Sequence, residues 1–92
     1  MIRSYRHKGL RLFFEKDDSS KLPPDMLQRI DMILSILDAA EDIEGVDVQT
    51  FRLHQLKGDL KGVYAVTVRA NWRIIFRFDE GDAFDVDFVD YH

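Results

Sequence analysis

The 92-residue chain contains no cysteine, so disulfide stabilisation, a thiol nucleophile and cysteine-ligated zinc are all excluded. Proline occurs only at Pro23 and Pro24, and five glycines are scattered rather than clustered, so no flexible linker or low-complexity segment divides the chain. Long hydrophobic runs are missing too. The longest, Val63 to Val66, is too short for a membrane span or a signal-peptide core, despite the basic opening Met1-Ile2-Arg3. These absences lead us to expect one cytoplasmic domain over residues 1–92 with no membrane partner. What is present is a supply of bulky core side chains, with 7 Phe, 3 Tyr and one Trp. A domain this small buries only about 60–65% of its unfolded surface, so those rings carry much of its stability.

Acidic residues outnumber basic ones, 17 to 13, which on average disfavours contact with nucleic acid. The distribution matters more than the average. Residues 25–50 contain one basic and seven acidic side chains, and residues 79–92 contain six acidic side chains and no Lys or Arg, whereas residues 51–78 contain six basic and one acidic. A basic central segment in an acidic chain points to a local anion site.

Periodicity predicts an α+β architecture. Ile2 to Tyr5 reads as a short strand, and Ser4 is placed to cap a first helix in which Leu10, Phe13 and Phe14 recur at helical spacing. Pro23-Pro24-Asp25 opens a second helix. Its apolar face is Leu27, Ile30, Ile33, Leu34, Leu37 and Ala40, with Gln28, Arg29, Asp31, Asp38 and Glu41 mostly outside and Gly45 as a stop. From residue 51 the period falls to two, and strands are predicted over 51–56, 63–69, 73–79 and 83–89, forming an antiparallel meander with the two helices packed on one face. Keeping apolar side chains together sets Phe78 opposite Phe84, Ile74 opposite Phe88, Val68 opposite Ile74 and Leu53 opposite Val66. Those pairings require three-residue loops at Ala70-Asn71-Trp72 and Glu80-Gly81-Asp82.

The other face then gathers Arg52, His54, Thr67, Arg69, Arg73, Arg77, Asp85, Asp87 and Tyr91 over a floor of Ala65, Ile75 and Val89. Arg77 faces Asp85 and is expected to form an ordinary cross-strand ion pair. Arg69 faces Arg73, and two guanidiniums so placed are suited to an anion held between them. His54, Lys57 and the terminal Asp90-Tyr91-His92 are expected to converge on the same face, and His7, without such partners, is expected to be structural. Cleavage of RNA through its own 2′-hydroxyl needs a base, a cation at the phosphate and an acid for the departing 5′-oxygen. These side chains can supply all three without a cofactor or metal, and a His54, His92 and Asp90 metal set lacks any local ligand spacing. Either histidine can be base or acid on this reading. No phosphate-binding loop or nucleophile elbow is present.

Three segments carry a resemblance: Leu53-His54-Gln55-Leu56-Lys57-Gly58-Asp59, Val66-Thr67-Val68-Arg69-Ala70-Asn71-Trp72-Arg73-Ile74, and the terminal Val89-Asp90-Tyr91-His92. With them the whole chain resembles the HigB toxins of the RelE/ParE superfamily. The resemblance implies a microbial-RNase-type RelE-like fold and a ribosome-dependent endoribonuclease that cuts translated mRNA in the A site of the 30S subunit. It implies catalysis by His54, Lys57, Arg73, Tyr91 and His92, with Arg69, Asn71 and Asp90 binding or orienting substrate. It further implies neutralisation by a HigA-type helix-turn-helix antitoxin, with operator DNA bound only through that complex. Because fold does not fix activity, a non-enzymatic ParE-like poison of DNA gyrase is the alternative.

Overall fold

In the computed structural model, which describes residues 1–60 and 62–90, two helices precede four strands. The first helix, α1 (Lys8–Lys16), packs Leu10, Phe13 and Phe14 toward the core. Its cap is His7 rather than the expected Ser4: the imidazole Nδ1 accepts the Leu10 N–H at 3.3 Å. That ring nitrogen fills the role usually taken by a side-chain oxygen, and the ring edge also meets Phe88. Pro24 begins a single 3₁₀ turn, Pro24–Met26, that feeds α2 (Leu27–Ala39). Ile30, Ile33, Leu34 and Leu37 are fully buried, as the periodicity requires. The helix ends before Ala40, and Gly45 sits instead in a separate 3₁₀ turn, Ile43–Val46, capped by Asp42. Two polar side chains expected on the outer surface turn inward: Asp38 accepts the Ile2 N–H at 2.9 Å, and Arg29 reaches across to the sheet.

The strands are β1 (His54–Gln55), β2 (Val63–Arg69), β3 (Trp72–Asp79) and β4 (Asp82–Asp90), in the antiparallel order β1-β2-β3-β4. The expected strand over 51–56 is thus reduced to two residues. Gln49–Phe51 forms a 3₁₀ turn, and Arg52 takes a left-handed conformation with φ 53°, which cannot continue a strand. Nor is Ile2 to Tyr5 a strand. It makes two parallel bridges, Ile2 with Ala83 and Tyr5 with Val86, that cover the outer edge of β4.

Both hairpins are tighter than expected, and each compensates with a bulge. The β3–β4 turn contains only Glu80 and Gly81, both at positive φ as hairpin twist requires, and Asp79 pairs with Asp82. Phe78 therefore lies opposite Ala83, not Phe84. An extra residue then enters β4 at Asp85, whose φ is 55° and whose N–H donates to the Ser4 Oγ at 2.9 Å. Beyond it, Ile74 pairs with Phe88 and Arg73 with Val89, as expected. The β2–β3 turn is likewise Ala70-Asn71 alone, with a bulge between Thr67 and Arg69, so Ile74 lies opposite Val66 rather than Val68. A two-residue turn without the bulge would have sent one strand's core to solvent.

The helices and the N-terminal segment cover one side of this sheet, burying Val66, Val68, Ile74, Phe76, Val86 and Phe88 with Phe51. Tyr5 is half-buried beneath that layer. Burial, followed by the nearby Glu15 and Asp38 charges, pushes its phenol up to about 12. Since the folded state disfavours the phenolate, this contribution to stability is complete below about pH 10, where the unfolded phenol titrates, and is lost as pH rises toward 12. Tyr5→Phe is expected to flatten the fall in urea midpoint between pH 9 and 11.5. Parallel wild-type and variant curves would show that Tyr5 carries none of that fall.

Candidate active site

The uncovered side of the sheet has its own small apolar floor. Leu56 folds over it from the end of β1, its N–H donating to the Val63 carbonyl at 2.8 Å, and clusters with Val63 and Ala65, with Ile75 packed against that cluster. This floor supports the chemistry-bearing side chains. His54 pairs with Ala65, Ala65 with Ile75 and Ile75 with Asp87, so His54 and Asp87 stand in one row across the sheet. Arg73 pairs with Thr67, two residues further along β2. Strand spacing and rise place the His54 and Arg73 Cα atoms about 12 Å apart on the same face. An exposed imidazole and a guanidinium with that separation can reach opposite sides of one phosphodiester.

Local hydrogen bonds orient both groups. The His54 Nδ1 lies 3.1 Å from the Arg52 carbonyl oxygen. A carbonyl only accepts, so Nδ1 carries the hydrogen, and the neutral ring keeps its lone pair at Nε2. Arg73 folds against its own hairpin, Nη1 donating to the carbonyls of Ala70 and Trp72. Among the described residues only Nη1 is so engaged, which leaves Nε and Nη2 as donors for a phosphate. Lys57 is exposed directly after Leu56, beside a shallow recess formed with Gln55 and Gly58. The neighbouring recess between Arg6, Ile75 and Arg77 holds only about 40 Å³, too small for a nucleobase.

Other expected members are placed differently. The bulge in β2 turns Arg69 away from Arg73: it stands opposite Trp72, and its Nη2 pairs with the Asp25 carboxylate, on the turn that opens α2, at 2.5 Å. The anion site between Arg69 and Arg73 is therefore not formed. Asn71 is exposed at the hairpin tip, and Asp90 lies opposite Trp72 at the end of β4. Tyr91 and His92 lie outside the described residues. Arg77 Nε lies 3.8 Å from the Asp85 carboxylate and forms the expected ion pair, although its backbone partner is Phe84. Sequence reasoning missed Arg29 and the carbonyl of Arg52. A left-handed arginine carries no composition signal, and a polar residue on a helix reads as solvent-facing.

A four-stranded antiparallel meander with helices on one side and cationic side chains on the other is the fold of small RelE-like toxins. Among solved structures, the heterotetrameric YoeB-YefM toxin-antitoxin complex from Staphylococcus aureus contains a chain that superposes with a TM-score of 0.64 at 18% identity, over 100% of this chain and 95% of that one. The YoeB dimer from the same organism gives 0.61, also at 18% identity, over 99% of this chain and 94% of that one. Sequence narrows the class. The family described as "RelE-like toxin of type II toxin-antitoxin system HigB" matches residues 3–92, and the chain belongs to that family. It is 47% identical to "Endoribonuclease HigB" of Proteus vulgaris over 92 residues, covering all of both chains. Identity to "Toxin HigB-1" of Vibrio cholerae serotype O1 is 30% over 94 residues, covering 100% of this chain and 98% of that one. Among the described residues no helix is long and apolar enough to cross a membrane.

Proposed function

We propose that this toxin is a ribosome-dependent endoribonuclease that cleaves translated mRNA and is held inactive by a HigA-type antitoxin. The observation that carries the proposal is the co-facial placement of His54 and Arg73 on the sheet surface that no helix covers. Full-length identity of 47% to an endoribonuclease supports it. In the proposed reaction the Nε2 of His54 accepts the proton of the 2′-hydroxyl, whose oxygen bonds to phosphorus. The bond from phosphorus to the 5′-oxygen then breaks to leave a 2′,3′-cyclic phosphate. Arg73 and Lys57 offset the charge that grows on the non-bridging oxygens. His92 returns a proton to the departing oxygen and Tyr91 positions a nucleotide, with Asn71 and Asp90 flanking the substrate. Arg69, held by Asp25, is assigned no substrate contact.

The −6 charge of residues 25–50 repels free RNA, so productive binding depends on the ribosome to present the message. Primer extension on message from expressing cells is expected to show cuts inside translated codons. Intact message accompanied by gyrase-linked DNA breaks would overturn the proposal in favour of a ParE-like activity.

A further inference from the structure

We propose that Arg29 is a positioning residue that sets the orientation of His54 and its register against Arg73, an inference that rests on the nuclease reading above. Arg29 stands in the first turn of α2, outside the uncovered face, yet its guanidinium joins three separate elements. Nη2 donates to the Thr50 carbonyl at 2.6 Å and to the Thr67 carbonyl at 3.1 Å, and Nη1 donates to the Thr50 Oγ1 at 3.2 Å. Its Cζ lies 4.9 Å from the ring centroid of Phe51, which is fully buried.

Each tie ends on backbone that leads to, or pairs with, a site residue. Thr67 is the backbone partner of Arg73 and sits where the β2 bulge begins. Thr50 and Phe51 lead directly into Arg52, whose left-handed backbone is sterically disfavoured for a side chain with a Cβ. Such a conformation persists only when its surroundings hold it. Arg29 holds one side of it, and β1 pairing with β2 holds the other. The Arg52 carbonyl then accepts the Nδ1–H of His54, fixing the tautomer that leaves Nε2 as the proton acceptor. The same guanidinium therefore fastens the backbone ahead of His54 and the backbone opposite Arg73.

Packing alone gives little reason for an arginine here. Its Nε–H is buried without an acceptor among the described residues, an unfavourable arrangement for a side chain whose only task is to fill space. A methionine of similar length would occupy the volume without that penalty, but it would make none of the three hydrogen bonds. A lysine would keep the charge over Phe51 and replace the fork by a single ammonium, which cannot reproduce the guanidinium's planar set of contacts.

The test uses the full-length protein with Arg29→Met and Arg29→Lys. Cleavage on translating ribosomes is measured alongside the tautomer of His54, read from its ring ¹⁵N shifts in the free protein above pH 8. Arg29→Met is expected to retain a cooperative melt, to lose about 10- to 100-fold in kcat with KM little changed, and to convert His54 from the Nδ1–H form to a tautomer mixture. Arg29→Lys is expected to fall between methionine and wild type on both readouts. An unchanged kcat and an unchanged tautomer in Arg29→Met, with only a lower melting temperature, would overturn the proposal. If Arg29→Met fails to fold, Arg29→Lys decides: a wild-type tautomer and kcat in that variant overturn it. Failure of the nuclease reading is distinguishable, since it appears as absent cleavage by the wild type, while the tautomer comparison still reports whether Arg29 orients His54.

Discussion

Arg73→Ala is expected to lower ribosome-programmed cleavage about 10²–10³-fold, the usual loss when a preorganised donor to a transition-state anion is removed. Stability should change little. The side chain is half-buried on the uncovered face, and its two bonds to the Ala70 and Trp72 carbonyls lie at the rim, where water can replace them. A loss of about 1 kcal/mol, or roughly 4–8 °C in melting temperature for a domain this size, is the expected ceiling. Arg73→Lys should recover part of the rate, because the charge returns without the forked donors. Rates from single-turnover cleavage and a thermal melt on the same preparations check both halves. A variant that unfolds, or one that cleaves like wild type, would remove Arg73 from the phosphate.

Phe76→Ala should do the reverse. Phe76 is 1% exposed, stacks on Tyr64 at 5.9 Å between ring centroids, and meets Phe78 edge-on at 6.5 Å. Removing it leaves a cavity in the centre of β3, which typically costs about 3–5 kcal/mol. Domains of this kind have only about 5–15 kcal/mol in total, so the variant is expected to be largely unfolded at 37 °C or close to its urea midpoint. A loss below about 1 kcal/mol would mean that the core relaxes around the gap, in conflict with the close packing of that layer. The two substitutions are three residues apart on one strand, yet they should separate activity from stability because successive side chains of β3 face opposite ways.

That alternation is also why much of the sheet was legible in the sequence. The pairings of Ile74 with Phe88 and Arg73 with Val89 follow from keeping apolar side chains on one face, and both are observed. The apolar face of α2 was equally readable, because Leu27, Ile30, Ile33, Leu34 and Leu37 at helical spacing leave one stable packing. The bulges were not. A three-residue loop and a two-residue loop with a bulge satisfy the same parity, so facing alone cannot choose between them. Choosing requires partners remote in sequence, such as the Ser4 hydroxyl that receives the Asp85 N–H.

The same degeneracy misdirected Arg69. Without the β2 bulge its alternation points it at Arg73, whereas the extra residue turns it to the helix layer and its carboxylate partner Asp25. His54 kept its expected face even though the strand around it shrank to two residues, because its pairing with Ala65 obeys the predicted register. What could not be foreseen was the turn before it, where Arg29 and a left-handed Arg52 do work that neither residue's type announces.

The most direct test of the account is cleavage of one message by the purified toxin, with and without ribosomes translating it, followed at matched protein concentration. Cuts confined to the translated region, at least 100-fold faster on ribosomes and yielding 2′,3′-cyclic phosphate ends, are the predicted result. Equal rates on naked and translated message, or ends bearing a free 3′-hydroxyl, would contradict it.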